Sequence, residues 1–92
     1  MMSFRSHLKE KLADPQFRQL YEEERQLAEL SLRIQDARKD RGLSQRALAE
    51  RAVMTPRQLA KVENGINCRL ATFLKVCNAL GLRIDLGQKE VV

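Results

Sequence analysis

The chain is poor in the residue types that build most chemical sites. It has no tryptophan, one tyrosine, three phenylalanines, two cysteines and one histidine in 92 residues. His7 stands alone, near no cysteine or carboxylate cluster in sequence, and reads as a surface residue rather than a base or a ligand. There is no phosphate loop, no nucleophile elbow and no paired-metal spacing. Cys68 and Cys77 are too few and wrongly spaced for a zinc site or a CxxC redox pair. The chain is therefore expected to be no enzyme and to hold no cofactor or metal. No apolar run approaches the ~20 residues of a membrane span. An apolar signal-peptide core is also missing from the N-terminus. These absences fit a reducing cytoplasm and no membrane partner. Glycine and proline are few, whereas Ala, Leu, Arg, Glu and Gln are plentiful, which favours an all-α fold.

The charge is distributed unevenly. The net value is +5. Through residue 26 the basic Arg5, Lys9, Lys11, Arg18 and Arg25 are cancelled by Glu10, Asp14, Glu22, Glu23 and Glu24. All the excess lies in the remainder, which suits a polyanion partner for that part and a different role for the first. The division expected is an N-terminal helical arm, residues 1–25, and a basic domain, residues 26–92.

Apolar periodicity places the elements. Phe4, Leu8 and Leu12 recur every fourth residue and predict a short helix. Asp14-Pro15 restarts a helix, with Asp14 as N-cap and Pro15 in the first turn. Phe17, Leu20, Tyr21, Leu27, Leu30, Ile34 and Ala37 keep helical spacing up to Gly42, in one helix or in two joined near Glu22–Glu24. Further on, Leu70, Phe73, Leu74, Cys77 and Leu80 form an apolar stripe that stops at Gly81, with Cys77 a small core residue. Leu82, Ile84 and Leu86 then alternate with Arg83, Asp85 and Gly87, a strand pattern. A single strand has no partner in such a chain, so its copy in a second subunit is the simplest one. Leu82, Ile84 and Leu86 are thus expected to hold a homodimer.

Between these elements lie Gly42-Leu43-Ser44-Gln45-Arg46-Ala47-Leu48-Ala49, Thr55-Pro56-Arg57-Gln58-Leu59 and Glu63-Asn64-Gly65. They predict two short helices joined by a tight turn, the build of a helix-turn-helix. Ser44 can cap the first helix and set Gln45 at its N-terminus, where amides and dipole favour a phosphate. Thr55 can cap the second, with Pro56 at its first position. Arg57 and Lys61 share one face, while Leu59 and Val62 point into the domain. The candidate DNA-binding residues are Gln45, Arg46, Thr55, Pro56, Arg57, Gln58 and Lys61. The bland alternative is a protein-docking module on which these residues form a solvated face.

From about Leu30 to Leu86 the sequence resembles the XRE/Cro family of phage-repressor-like DNA-binding domains. The resemblance rests on Ala37-Arg38-Lys39, Arg41-Gly42-Leu43-Ser44-Gln45, Leu48-Ala49-Glu50-Arg51, Thr55-Pro56-Arg57-Gln58-Leu59, Val62-Glu63-Asn64-Gly65 and Ala79-Leu80-Gly81. It implies a bundle of about five helices, Gln45 on phosphate, the helix begun at Thr55 in the groove, and an ion pair between Arg38 and Glu63. The fold expected is a five-helix phage-repressor-like domain with an N-terminal helical arm and a short C-terminal dimerising strand. Two positions depart from the family. Val53 stands where the turn usually has glycine, at a strain of about 1–2 kcal/mol if it is left-handed. Pro56 fills a slot that is often polar.

More narrowly, the chain is similar to antitoxins of the HigA type. The likeness lies in Leu12-Ala13-Asp14-Pro15-Gln16-Phe17 with Tyr21, and in Lys75-Val76-Cys77-Asn78-Ala79-Leu80-Gly81 followed by Leu82–Leu86. This implies a small mRNA-cleaving toxin of RelE/HigB type as partner and repression of the chain's own operon through an inverted-repeat operator. Phe17, Leu20, Tyr21 and Glu24 are the candidate toxin-binding residues. The alternative is a stand-alone phage- or plasmid-type repressor, whose arm aromatics pack on its own core.

Overall fold

A computed structural model describes residues 4–89, with side chains from residue 6 onward. Five helices follow one another, α1 Phe4–Leu12, α2 Pro15–Asp40, α3 Gln45–Arg51, α4 Pro56–Glu63 and α5 Leu70–Ala79. α1 folds back on α2, and α3, α4 and α5 gather against the C-terminal half of α2. The first three and last three residues of the expected arm and domain lie outside the described residues.

α2 begins as its sequence dictates. The Asp14 carboxylate accepts from the Gln16 amide at 2.9 Å, and Pro15 takes the first position, where a missing N–H costs nothing. The helix then runs 26 residues without a joint, straight through Glu22–Glu24. Arg25 bridges Glu22 and Glu29, and Arg33 returns to Glu29, so this solvated stretch carries its own i,i+3 and i,i+4 pairs. Each such exposed pair contributes only a few tenths of a kcal/mol. Together with the apolar face they keep the acidic run helical.

The core joins the C-terminal half of α2 to the three shorter helices. Ile34, Leu48, Leu59 and Val76 are all 1% exposed or less. Ala49, Val62, Cys77 and Leu80 complete the buried cluster, with Ala37, Leu43, Met54, Phe73 and Leu82 packed around it. Fully burying an aliphatic side chain of this kind stabilises by about 1.5–3 kcal/mol. On α5 the observed inner face differs from the expected stripe. Val76 takes a core position beside Cys77 and Leu80, whereas Leu70 and Leu74 are 68% and 40% exposed. Apolar residues lie on more than one face of this helix, and periodicity alone does not say which face turns inward.

Three helices end alike, each on a glycine. After α2, the amides of Gly42 and Leu43 turn back to the carbonyls of Lys39 and Arg38. After α4, Gly65 and Ile66 bond Val62 and Lys61, and after α5, Gly81 and Leu82 bond Asn78 and Cys77. This is the Schellman closure, which needs a left-handed residue just past the cap. Gly65, at φ 69°, also brings the α4–α5 turn onto α2: a Cβ there would lie 3.4 Å from Ser31 Oγ and 3.8 Å from Ala28 Cα.

Across this bundle runs a buried ion pair. Arg38 Nη2 lies 2.9 Å from Glu63 Oε1, with side-chain exposures of 13% and 2%. Arg38 Nε donates to both carboxylate oxygens, and Nη1 donates to the Leu43 carbonyl at 2.9 Å. The Gln35 amide donates to the Glu63 carbonyl. The pairing that the family resemblance implies is therefore present, and it links α2 to the last turn of α4.

The expected C-terminal strand is corrected. Residues 82–89 have no regular secondary structure, and from Arg83 onward they make no backbone–backbone hydrogen bond among the described residues. The physical reason lies in the sequence pattern itself: a ladder needs a second strand, and one chain supplies only one. The segment leaves α5 beside Ile34 and Ala37, and Lys89 comes to lie near Glu22 and Gln26, so it runs back along α2.

Removing one member of a buried pair leaves the other charge desolvated and alone. Arg38→Ala should therefore cost about 3 kcal/mol and lower the melting temperature by roughly 15 °C. Replacing both members, as Arg38→Met with Glu63→Leu, should cost less than Arg38→Ala. Thermal melts of the three chains check the order.

Candidate nucleic-acid interface

The interface is built on two capped helices and the turn between them. Ser44 caps α3, its hydroxyl accepting from the Ala47 amide at 3.0 Å. Gln45 is thereby the first residue of α3, exposed at a helix N-terminus. Arg46 follows, also exposed, and its 3.9 Å approach to Glu50 is a loose solvated contact of little energy.

α4 opens more tightly. Thr55 Oγ1 accepts from the Gln58 amide at 3.1 Å, and Gln58 Oε1 accepts from the Thr55 amide at 3.0 Å. This is a capping box, with Pro56 at the first helical position. It gives Gln58 a structural duty that its expected DNA role did not include. Its carbonyl oxygen is occupied, and its side-chain NH2 remains as donor. The Thr55-x-x-Gln58 spacing is the sequence signal for this reciprocal cap.

The α4 surface divides by charge. Leu59, Val62 and Glu63 are buried, the last neutralised by Arg38. Arg57 and Lys61 lie on the opposite, exposed side and have no hydrogen-bond or ion-pair partner among the described residues. All seven expected DNA-binding residues are exposed, and all stand on α3, on α4 or at the cap between them. The arrangement offers two guanidinium or ammonium groups able to reach a base edge or phosphate, and a helix N-terminus able to receive a phosphate.

The turn carries strain. Val53 has φ 55° and is 84% exposed. It occupies the place that Gly42, Gly65 and Gly81 fill after the other helices, since the Val53 and Met54 amides bond Glu50 and Ala49. A β-branched residue is a poor occupant of this region.

The remaining candidates are dispersed. Phe17 is half-buried, with Lys11 Nζ 5.6 Å above its ring. Leu20 is 60% exposed and Tyr21 38%. Glu24 is exposed and unpartnered among the described residues. Its neighbour Glu22 is held below the usual carboxylate range because Arg25 hydrogen-bonds to it, and Glu23 accepts from Gln19. Leu82 is half-buried, whereas Ile84 and Leu86 are 39% and 97% exposed. Cys77 is packed in the core cluster at 4% exposure, and burial pushes its thiol up. Among the described residues no cluster of His, Cys, Asp and Glu could hold a metal ion. No helix among them is long and apolar enough to cross a membrane.

Two capped helices in this relation, with a basic outer face on the second, define a helix-turn-helix protein. The helix-turn-helix family profile of XRE/Cro type matches residues 34–86, more than half of the chain, and the chain belongs to that family. It is accordingly a DNA-binding protein and not an enzyme. No individual curated protein matches it.

Relieving the left-handed valine should raise stability. Val53→Gly removes about 1–2 kcal/mol of strain and adds roughly 0.5–1 kcal/mol of chain entropy cost. The net gain expected is about 1 kcal/mol, a rise of several degrees in a thermal melt. A lowered melting temperature would show that Val53 is not strained.

Proposed function

We propose that the chain is a sequence-specific, dimeric transcriptional repressor and the antitoxin of a type II toxin–antitoxin module. It binds an inverted-repeat operator, represses its own operon, and binds a small mRNA-cleaving toxin of RelE/HigB type. The observation that carries the DNA reading is the pair of exposed, unpartnered cations on α4. Arg57 and Lys61 project from a helix whose other face is locked into the core, so their direction is set before any DNA arrives. Gln45 sits at the α3 N-terminus, suited to a phosphate. In this reading Leu82, Ile84 and Leu86 hold the dimer, and half-site centres stand about 34–36 Å apart or at a multiple of that.

The toxin reading is supported by Leu20, Tyr21 and Glu24, which are free on the N-terminal part of α2 next to an acidic run. An apolar anchor beside carboxylates suits a basic partner, because the anchor holds and the charges steer. The half-buried Phe17 under Lys11 favours the other reading, a stand-alone repressor whose α1–α2 arm simply packs on itself.

Two experiments test these roles. Arg57→Ala should lose about 1–3 kcal/mol of discrimination at one position per half-site, whereas Gln45→Ala should weaken binding evenly across sequences. Binding of each to a library of operator variants separates the two effects, and an unchanged Arg57→Ala profile sinks the recognition-helix assignment. For the arm, the double variant Leu20→Asp with Tyr21→Ala should leave the fold and operator binding intact. It should also abolish co-purification with a toxin encoded in the neighbouring frame and the protection of cells from it. Full protection by that variant contradicts the arm's role.

A further inference from the structure

Gln58 has two duties at the start of α4, and the first constrains the second. The opening amides of a helix find no partner within it. At Thr55 that amide is met by Gln58 Oε1 at 3.0 Å, while Thr55 Oγ1 accepts from the Gln58 amide at 3.1 Å. Chemistry fixes which way round the carboxamide lies. A backbone N–H needs an acceptor, so the side-chain oxygen faces Thr55 and the NH2 is directed away from it. Both N–H groups of Nε2 are without a partner among the described residues. Gln58 is exposed and stands three residues before Lys61, on the flank of the face that carries Arg57 and Lys61. It is the one neutral hydrogen-bonding side chain of α4. Pro56, at the first helical position, has neither an N–H nor a polar side chain to compete with it.

We infer that Gln58 reads DNA as a donor only, and so selects a keto base, guanine through O6 or thymine through O4, on one strand at one position of each half-site. The inference rests on the DNA-binding reading above and names what one residue of that site recognises. A glutamine whose carboxamide is unheld pairs with adenine in two bonds, accepting from N6 and donating to N7. Here the acceptor is committed to the cap. Turning it to a base would strip the Thr55 amide of its partner, at a cost like that of losing an N-cap. The NH2 that remains matches the carbonyl oxygens of guanine and thymine. Against the amino groups of adenine and cytosine it sets donor against donor. Every base pair has one keto and one amino base, so this contact chooses between the two orientations of a pair. Being neutral, Gln58 gains less from a phosphate than Arg57 and Lys61 do, which leaves the base edge as its better partner. The reciprocal cap thus does more than start the helix: it removes adenine from what this position can read.

The test compares the unmodified chain with Gln58→Met and Gln58→Glu, each full-length, selected against a pool of random double-stranded DNA and read as base preference by position. Gln58→Met keeps the length of the side chain but neither caps nor donates. It should melt several degrees lower and lose its preference at one position per half-site, which identifies the position. There the unmodified chain should favour guanine or thymine over adenine or cytosine by about tenfold. Gln58→Glu keeps the reciprocal cap, since glutamate serves it as glutamine does, and puts an acceptor where the donor was. It should melt like the unmodified chain, bind DNA more weakly overall, and turn the preference at that position to cytosine or adenine. Selection of adenine there by the unmodified chain overturns the inference, because that contact needs the oxygen on the base. A profile that neither variant alters overturns it as well. In both cases a profile changed by Arg57→Ala leaves the recognition-helix reading standing. If Arg57→Ala also changes nothing, that reading falls with it.

Discussion

The Arg38–Glu63 pair is the constraint on which the DNA-facing geometry depends. Glu63 is the last residue of α4, almost wholly buried, and its charge is tolerable there only because Arg38 brings a guanidinium to it from α2. Arg38 also holds the Leu43 carbonyl, at the approach to α3. One side chain thus ties the long helix to the entry of the first short helix and to the exit of the second. A hydrophobic contact at this place would stabilise as well or better, but it would not fix direction. A fork of donors shared between a carboxylate and a carbonyl permits little rotation of α4 about its axis. That rotation decides whether Arg57 and Lys61 face outward together.

The same geometry is supported from the helix ends. Thr55 and Gln58 cap each other, so the start of α4 is held as firmly as its end. The α3–α4 turn is closed by Val53 in a conformation that glycine adopts freely and valine resists. The two supports differ in kind. The capping box lowers the energy of the folded helix, whereas the valine raises that of the turn and lowers the entropy of the unfolded chain. The strained residue is almost fully exposed, so no packing contact compensates it. It is carried by the tertiary contacts of the helices on either side.

Local chemistry was legible in the sequence, and long-range geometry was legible only in part. Asp14, Ser44 and Thr55 announce helix starts because capping needs a particular side chain at a particular place, and each caps as expected. The outward face of Arg57 and Lys61 follows from helical period alone. The Arg38–Glu63 pair came from resemblance, since a separation of 25 positions leaves no periodic trace of it. The bond from Gln35 to the Glu63 carbonyl had no signal at all. The unbroken α2 was ambiguous, because three adjacent glutamates read equally as a joint or as a solvated helix. The strand over Leu82–Leu86 was read from a pattern that describes what a segment is suited to pair with. A single chain does not contain the partner, so the pattern and the observed irregular segment are compatible in origin although they differ in outcome.

Charge and apolar surface divide the molecule along its long helix. The N-terminal half of α2 carries Glu22, Glu23 and Glu24, of which Glu22 pairs with Arg25, and Leu20 and Tyr21 are exposed beside them. The C-terminal half is buried under α3, α4 and α5, which bring Arg46, Arg57 and Lys61 to the surface. The tail after α5 runs back along α2 from the second region toward the first, carrying Ile84 and Leu86. A rigid helix of 26 residues thus holds an acidic surface and a basic one at a fixed separation. The division is local, because the acidic run stands among arginines and lysines that cancel it over the first 26 residues, whereas the excess positive charge lies in the remainder, with α3 and α4. The apolar tail lies between them and is complementary to neither. Its alternating charges, Arg83 and Asp85, are balanced within five residues and pair with each other at 3.1 Å.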